Sequence, residues 1–190
     1  MIEVEIRGQL SREGYDSLKE HLQKDGAYLG RTEREMFCLR DFPGYSHDPV
    51  TRQADIRLRN TSGECEIMLK TSASDTNLAR REISLKLKDK NLENAKEIIK
   101  ALGFKTANRM YRIREEYQWN NIHWLLAQTS PKPYFYYEAE LEVNEKSEIP
   151  DAHQKLLSAA RELGLSVLSP EETREFIYLL DTEVNEEVRL

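Results

Sequence analysis

The chain alternates from its second residue. Ile2, Val4 and Ile6 fall on one parity, and Glu3, Glu5 and Arg7 on the other, the period of a strand with one polar face. Ser11 then offers a cap, and Tyr15, Leu18 and Leu22 recur at helical spacing up to Gly26, which predicts a helix over residues 11–25. A second strand is expected at 32–41, followed by a loop at 42–51 that carries Pro43, Gly44 and Pro49. Alternation returns at 55–60 and 64–71 around a Thr61-Ser62-Gly63 turn, and again at 79–88 after a polar stretch at 72–78. Leu92, Ala95, Ile98, Ile99 and Leu102 mark a helix over 91–102 that stops at Gly103. Three more strands are expected at 110–117, 122–128 and 134–143, with turns at Asn120-Asn121 and at Ser130-Pro131-Lys132-Pro133. The chain then reads as helical over 151–163, ending at Gly164. A further helix starts at Ser169-Pro170-Glu171-Glu172 and runs through Phe176, Ile177, Leu179 and Leu180. Eight strands with helices inserted and appended predict an α+β fold around an antiparallel sheet. No repeat or linker divides it, so residues 1–190 read as one domain.

Composition narrows the class. Charged residues make up 33% of the chain and hydrophobic residues 39%, which calls for a large polar surface or a polar interior. The net charge of −6 argues against a nucleic-acid partner, which needs a basic footprint. Cys38 and Cys65 lie far apart without metal-ligand spacing, so neither a disulfide framework nor a zinc site is expected, and a reducing cytoplasm fits. No signal peptide and no apolar run of membrane-spanning length is evident, so no membrane partner is expected. A homodimer is compatible with the chain.

The polar parity of the strands carries the chemistry. The first strand contributes Glu3, Glu5 and Arg7, the third Arg57 and Arg59, and the fourth Glu66 and Lys70. The fifth adds Arg80, Glu82, Ser84 and Lys86, the sixth Arg112 and Arg114, and the last Glu138, Glu140 and Glu142. For any one strand a wet outer face explains this pattern, as it does in many antiparallel sheets. For the set, two features point elsewhere. The positions are dominated by Arg and Glu rather than mixed with Thr, Gln and Lys, and the acids cluster on the first and last strands with base pairs between. Arginine forks grip phosphate oxygens, and carboxylates hold Mg²⁺ or Mn²⁺. If the sheet closes so that its first and last strands approach, the charged face becomes a lumen with one wall for divalent cations and one for a polyphosphate. Like charges that close repel, so such an arrangement makes sense with ligands to compensate them.

These residues resemble the CYTH-domain proteins, or triphosphate tunnel metalloenzymes, which include class IV adenylyl cyclases, thiamine triphosphatases and inorganic triphosphatases. The family opening E-x-E-x-K is matched by Glu3-Val4-Glu5-Ile6-Arg7, and the R-x-R strand by Arg57-Leu58-Arg59. The strand ending in lysine is matched by Ile67-Met68-Leu69-Lys70, and R-x-E by Arg80-Arg81-Glu82. The basic pair before an aromatic is matched by Arg112-Ile113-Arg114 with Tyr117, and the closing E-x-E by Glu140-Leu141-Glu142, with Glu138 in register. Each motif alone is weak, but six in order along almost the whole chain are specific. The resemblance implies a closed eight-stranded antiparallel β tunnel, or barrel, with flanking helices. It implies Mg²⁺ or Mn²⁺ on Glu3, Glu5, Glu82, Glu138, Glu140 and Glu142. A triphosphate-containing small molecule would lie on Arg57, Arg59, Lys70, Arg80, Lys86, Arg112 and Arg114, with Glu5 and Arg7 in catalytic roles. In the hydrolases water attacks the terminal phosphate. In the cyclases the ribose 3′-hydroxyl attacks the α-phosphate and pyrophosphate leaves.

Three departures bear on activity. Arg7 and Arg112 stand where the family has lysine, and an arginine cannot shuttle a proton at working pH. Leu125, in Ile122-His123-Trp124-Leu125, stands where the family often has an acid, so either a metal ligand is missing or Glu116 or Glu138 compensates. Ser130-Pro131-Lys132-Pro133 replaces a glycine-rich turn. Hydrolysis of a triphosphate compound is the leading expectation. The alternatives are a class IV-type adenylyl cyclase, a polyphosphate- or nucleotide-binding module without turnover, and an ordinary wet-faced sheet with a partner-binding role. His123 reads as a polar strand residue, and His21, His47 and His153 as surface residues. Trp119, Trp124 and Tyr134–Tyr137 read as core and rim, and the acidic stretch 183–187 as solvated.

Overall fold

The opening alternation forms β1 (Ile2–Leu10) in a computed structural model that describes residues 1–73 and 79–190. Ser11 caps α1 (Arg12–Asp25), its Oγ accepting from the Gly14 amide at 3.0 Å. Then come β2 (Ala27–Leu39), β3 (Ala54–Thr61), β4 (Glu64–Ser72), β5 (Ala79–Lys86), α2 (Leu92–Ala101) and β6 (Thr106–Trp119). The chain ends with β7 (Ile122–Ser130), β8 (Phe135–Val143), α3 (Ile149–Glu162), α4 (Pro170–Glu183) and β9 (Glu186–Arg189). Residues 74–78 of the expected polar loop lie outside the described residues. Two hairpins are set by their turn residues. Ser62 and Gly63 take φ of 49° and 93°, and Asn120 and Asn121 take 53° and 55°, the left-handed backbone that matches strand twist in a two-residue turn.

Every ladder is antiparallel. The strands follow the order β2-β3-β4-β5-β1-β8-β7-β6, and β2 pairs again with β6, so the sheet closes into a ring. This closing ladder runs from Ala27↔Gln118 to Leu39↔Ala107, which explains why β2 starts earlier than its sequence pattern suggests. The ninth strand was not expected. β9 pairs with the first residues of β6, Thr106 to Arg109, beyond the reach of β7, and Val188 and Leu190 pack under α2. Glu186 and Glu187 stay exposed, but their backbone is ladder rather than free tail.

Period 2 then sorts the side chains into an outer and an inner set. Outside, Val4, Ile6, Trp124, Leu126 and Tyr137 form one core with Leu18 and Leu22 of α1 and Leu156 of α3. A second core sets Leu92, Ala95 and Ile99 of α2 on Phe37, Leu39, Leu58 and Cys65. β5 departs from the expected packed face: Ile83 and Leu85 are 46% and 64% exposed. The third cluster is on the inner side. Phe176 and Leu180 of α4 pack on Leu125, Ala127 and Tyr136, and Leu125 and Ala127 share the face of His123. Asp181 accepts from Asn108 Nδ2 at 2.5 Å, and Asn185 accepts from Arg112 Nη2 at 2.9 Å. Thus α4 closes one end of the ring, and the charged lumen opens toward the other.

Two neighbours on α2 separate core from surface. Ile99 is 6% exposed and Ile98 is 59% exposed. Ile99→Ala should destabilise the fold by about 2–5 kcal/mol, whereas Ile98→Ala should change stability by less than about 0.5 kcal/mol. Urea titrations of the two variants measure the contrast.

Candidate active site in the lumen

The register between β1 and β8 sets the acidic wall. Glu3 lies opposite Glu142, Glu5 opposite Glu140 and Arg7 opposite Glu138. Carboxylates directly across a ladder repel one another. Carboxylate oxygens of Glu3, Glu5 and Glu140 come within 4.8 Å of one another. Three internal cations partly offset this. Arg7 donates through Nε to Glu5 Oε1 at 2.9 Å and lies 3.3 Å from Glu138. Lys70 donates to Glu3 at 3.0 Å and pairs with Glu82. His123 bridges two acids, with Nδ1 3.1 Å from Glu140 and Nε2 3.2 Å from Glu116.

The acids titrate apart accordingly. Burial lifts Glu3 to about 8, with Glu140, Glu5 and Glu82 adding to the rise against the pull of Lys70. Desolvation acts on half-buried Glu5 too, yet Arg7 and Lys70 draw it down to about 2. Burial and the nearby Glu5 raise Glu138. Hydrogen bonds donated to Glu116 and Glu140 hold His123 up at about 9, and the bond accepted from His123 holds Glu116 down at about 2. At neutral pH His123 is therefore an imidazolium, a resident cation among the carboxylates.

The basic wall has two parts. Around Asp55, which is 3% exposed, Arg57 Nη2 donates at 2.6 Å, and Arg52 and Arg80 each lie 3.8 Å away. Although burial raises an acid, these guanidiniums hold Asp55 well below the usual carboxylate range. The other part gathers Arg34, Arg59, Arg112 and Arg114. Arg59 is satisfied by Glu66 at 2.5 Å. Arg34 is half-buried, and its one hydrogen bond among the described residues runs from Nε to Thr61 Oγ1 at 3.0 Å. Burial, with Arg114 and Arg59 nearby, drives it down to about 9. Among the described residues Arg114 Nη1 is buried without a hydrogen-bond partner, although Glu116 is 3.4 Å away. A guanidinium in that state has donor capacity to spare, which suits a bound anion.

Both parts and the acidic wall line one cavity of about 300 Å³. Of the residues expected from sequence, Glu3, Glu5, Arg7, Arg57, Arg59, Lys70, Arg80, Glu82, Arg112, Arg114, Glu138, Glu140 and Glu142 all border it. Lys86 does not: it is exposed near the end of β5, outside the lining. Arg34, Glu116 and His123 border it as well. His123 was expected as a plain strand residue, and Arg34 was not singled out at all. Glu33, Arg34 and Glu35 are consecutive charges, so parity gave no contrast there, whereas Asp55 shares the parity of Arg57 and was open to notice. Leu125 is fully buried beneath α4, so the missing acid is replaced by packing. His153 was expected at the surface and is partly buried beside a second cavity.

The CYTH domain model matches residues 1–173, and the chain belongs to the CYTH-domain family. Among solved structures, the PH1819 protein of Pyrococcus horikoshii superposes with a TM-score of 0.71 at 23% identity, covering 94% of this chain and 97% of its own. A candidate adenylate cyclase from Vibrio parahaemolyticus gives 0.65 at 14% identity over 87% of this chain and 90% of its own. HpAC1 from Hippeastrum, a protein with a dominant triphosphatase activity, gives 0.55 at 14% identity over 87% and 89%. These identities establish a shared fold. A comparison with curated protein sequences found no match.

The raised His123 has a consequence for stability in the metal-free protein. Its folded value lies above the ordinary 6.5, so the stabilisation is complete below pH 6.5 and is lost as pH rises through 9. Discounted for partial exposure, the loss should be on the order of 2 kcal/mol. Urea melts in EDTA between pH 6 and pH 9.5 should show this slope in the native protein, and His123→Gln should flatten it relative to the native protein.

Proposed function

We propose that this CYTH-domain protein is a metal-dependent hydrolase of a triphosphate compound bound in the lumen. The observation that carries the reading is the crowding of Arg34 and Arg114 across one cavity from Glu3, Glu5 and Glu140. Both groups are only partly compensated among the described residues. An anion on the guanidiniums and a cation on the carboxylates would relieve both, and a metal–triphosphate complex supplies the two together.

The donor set fits a hard divalent cation. Glu3, Glu5 and Glu140 offer only oxygens, with Glu82, Glu138 and Glu142 nearby, which suits Mg²⁺ or Mn²⁺. When bound, such an ion supplies Lewis-acid polarisation of a phosphoryl group. The chain's own residues do the rest. Arg34, Arg59, Arg112 and Arg114 hold phosphate oxygens on one wall, and Arg57, Arg80 and Lys70 on the other. Their forks fix the chain of phosphates and stabilise charge as it shifts toward the leaving group. Arg7 keeps Glu5 ionised and remains charged itself, so it orients and neutralises rather than carries a proton. Phe176 and Leu180, packed on Leu125, Ala127 and Tyr136, make one end of the lumen apolar. Attack on the terminal phosphorus would release orthophosphate. Adenylyl cyclase activity is the alternative, and its product differs.

Purified protein should release phosphate from tripolyphosphate or ATP with Mg²⁺ or Mn²⁺ and not in EDTA, without cyclic AMP in the ATP reactions. Cyclic AMP in place of phosphate would assign the cyclase reaction, and tight binding without either product would assign a binding protein. Glu5→Gln should abolish turnover while metal-free triphosphate binding persists. Arg34→Ala should weaken triphosphate binding by about 1.5–3 kcal/mol, the worth of charge-assisted hydrogen bonds, and Lys86→Ala should leave it unchanged. Calorimetric titration separates these outcomes.

A further inference from the structure

β5 outruns one of its neighbours in the ring. β4 pairs with it over residues 80–86, whereas β1 pairs with it only at Ala79, Arg80 and Arg81. Among the described residues no strand lies on that edge at residues 82–86. Met1, the next position along β1, is outside the strand and 71% exposed. The bare stretch is at the far end of β5 from residues 74–78, which precede Ala79. Ile83, Ser84, Leu85 and Lys86 are all exposed.

Backbone parity shows what this edge offers. At the two ends of the β4–β5 hairpin, Leu87 donates to the Cys65 carbonyl and Ala73 to the Ala79 carbonyl, each at 2.8 Å. Bonding residues alternate along an antiparallel ladder, so Arg81, Ile83 and Leu85 turn their amides and carbonyls to β4. Glu82, Ser84 and Lys86 turn theirs to the bare edge, as Arg80 turns its own to Glu3 of β1. Such an edge is a template for another strand unless proline, a bulge or charge blunts it. No proline or glycine occurs in β5, and its exposed outer face carries Ile83 and Leu85.

The segment itself says which strand fits. Glu82-Ile83-Ser84-Leu85-Lys86 is its own complement when reversed. Set antiparallel against a second copy about a two-fold axis at Ser84, it places Glu82 opposite Lys86, Ile83 opposite Leu85 and Ser84 opposite Ser84. Opposite charges and branched aliphatic pairs across strands are each favourable. The same register brings together the residues whose amides and carbonyls face outward. An axis at Ile83 would bring Lys86 onto Arg80, a like charge at a position that β1 already holds. An axis at Leu85 would part Glu82 from Lys86. A self-complementary patch of this kind is what a two-fold dimer requires.

We propose that this protein forms a two-fold dimer in which residues 82–86 of β5 pair antiparallel with the same residues of a second copy, joining the two sheets edge to edge. The contact is small, so association is reversible and concentration-dependent. The proposal is independent of what the lumen binds. Analytical ultracentrifugation of the native protein at rising concentration should show a monomer–dimer equilibrium. Ser84→Pro removes the amide at the axis, which points away from β4, so the chain's own ladder keeps its bonds. This variant should be monomeric. Leu85→Lys, which sets an ammonium against Ile83 of the second copy, should raise the dissociation constant at least tenfold. Should circular dichroism show that Ser84→Pro does not fold, Leu85→Lys at its exposed position decides. Oxidation of co-expressed Ile83→Cys and Leu85→Cys chains reads the register. The two positions are directly opposite and within disulfide reach, so the mixed chains should form a covalent dimer. Either variant expressed by itself has its new cysteines on the diagonal and should not. Native Cys38 and Cys65 are buried and do not compete. A native protein that stays monomeric at every concentration would overturn the proposal, as would a dimer that survives both Ser84→Pro and Leu85→Lys. Covalent dimers from the single variants in preference to the mixed chains would overturn the register and the proposal with it.

Discussion

Glu5 faces Glu140 directly across a ladder, and Glu3 faces Glu142. Much of the interior is a response to that constraint. Arg7, Lys70 and His123 are each placed against two of the acids, and the acids titrate far apart as a result. The opposite wall carries the mirrored problem, with Arg34 pressed by Arg59 and Arg114 and no carboxylate bonded to it among the described residues. Closing the ring makes both sets face one small volume. An open sheet with the same sequence would leave these charges in water, where the repulsion is slight.

The C-terminal helix completes the arrangement from inside. Phe176 and Leu180 lie on the inner face of β7 and β8, so part of the lumen is apolar and closed. Leu125 belongs to that packing, and an acid at its place would be buried against Phe176 without water, a costly position for a charge. The same helix presents Thr173 and Ile177 to the neighbouring cavity, and its Asn185 holds Arg112. One element thus covers part of the lumen, holds a basic residue and borders the neighbouring cavity.

Most strands, and the parity of nearly all site residues, were legible in sequence, because a two-residue period sends every second side chain to one face. The signal failed where charge occurred on both parities, at Glu33-Arg34-Glu35, and where a residue type has two common roles, at His123. It also failed for Lys86, which has the inward parity but lies near the end of β5, exposed and outside the cavity. β9 escaped notice because a four-residue acidic strand has no apolar alternation, and its pairing depends on the edge that β6 leaves beyond β7.

Local pattern by itself determined most strands, the helix starts at Ser11 and Ser169, the hairpin turns and the inward face of most strands, since these depend on neighbours along the chain. Tertiary structure alone decided which acids meet across β1 and β8, that β2 returns to β6 and closes the ring, and that α4 enters one end. It also decided that an aliphatic cavity adjoins the lumen at Arg7 and Arg80. Those outcomes depend on register and on contacts between residues distant in sequence, and a one-dimensional period contains neither.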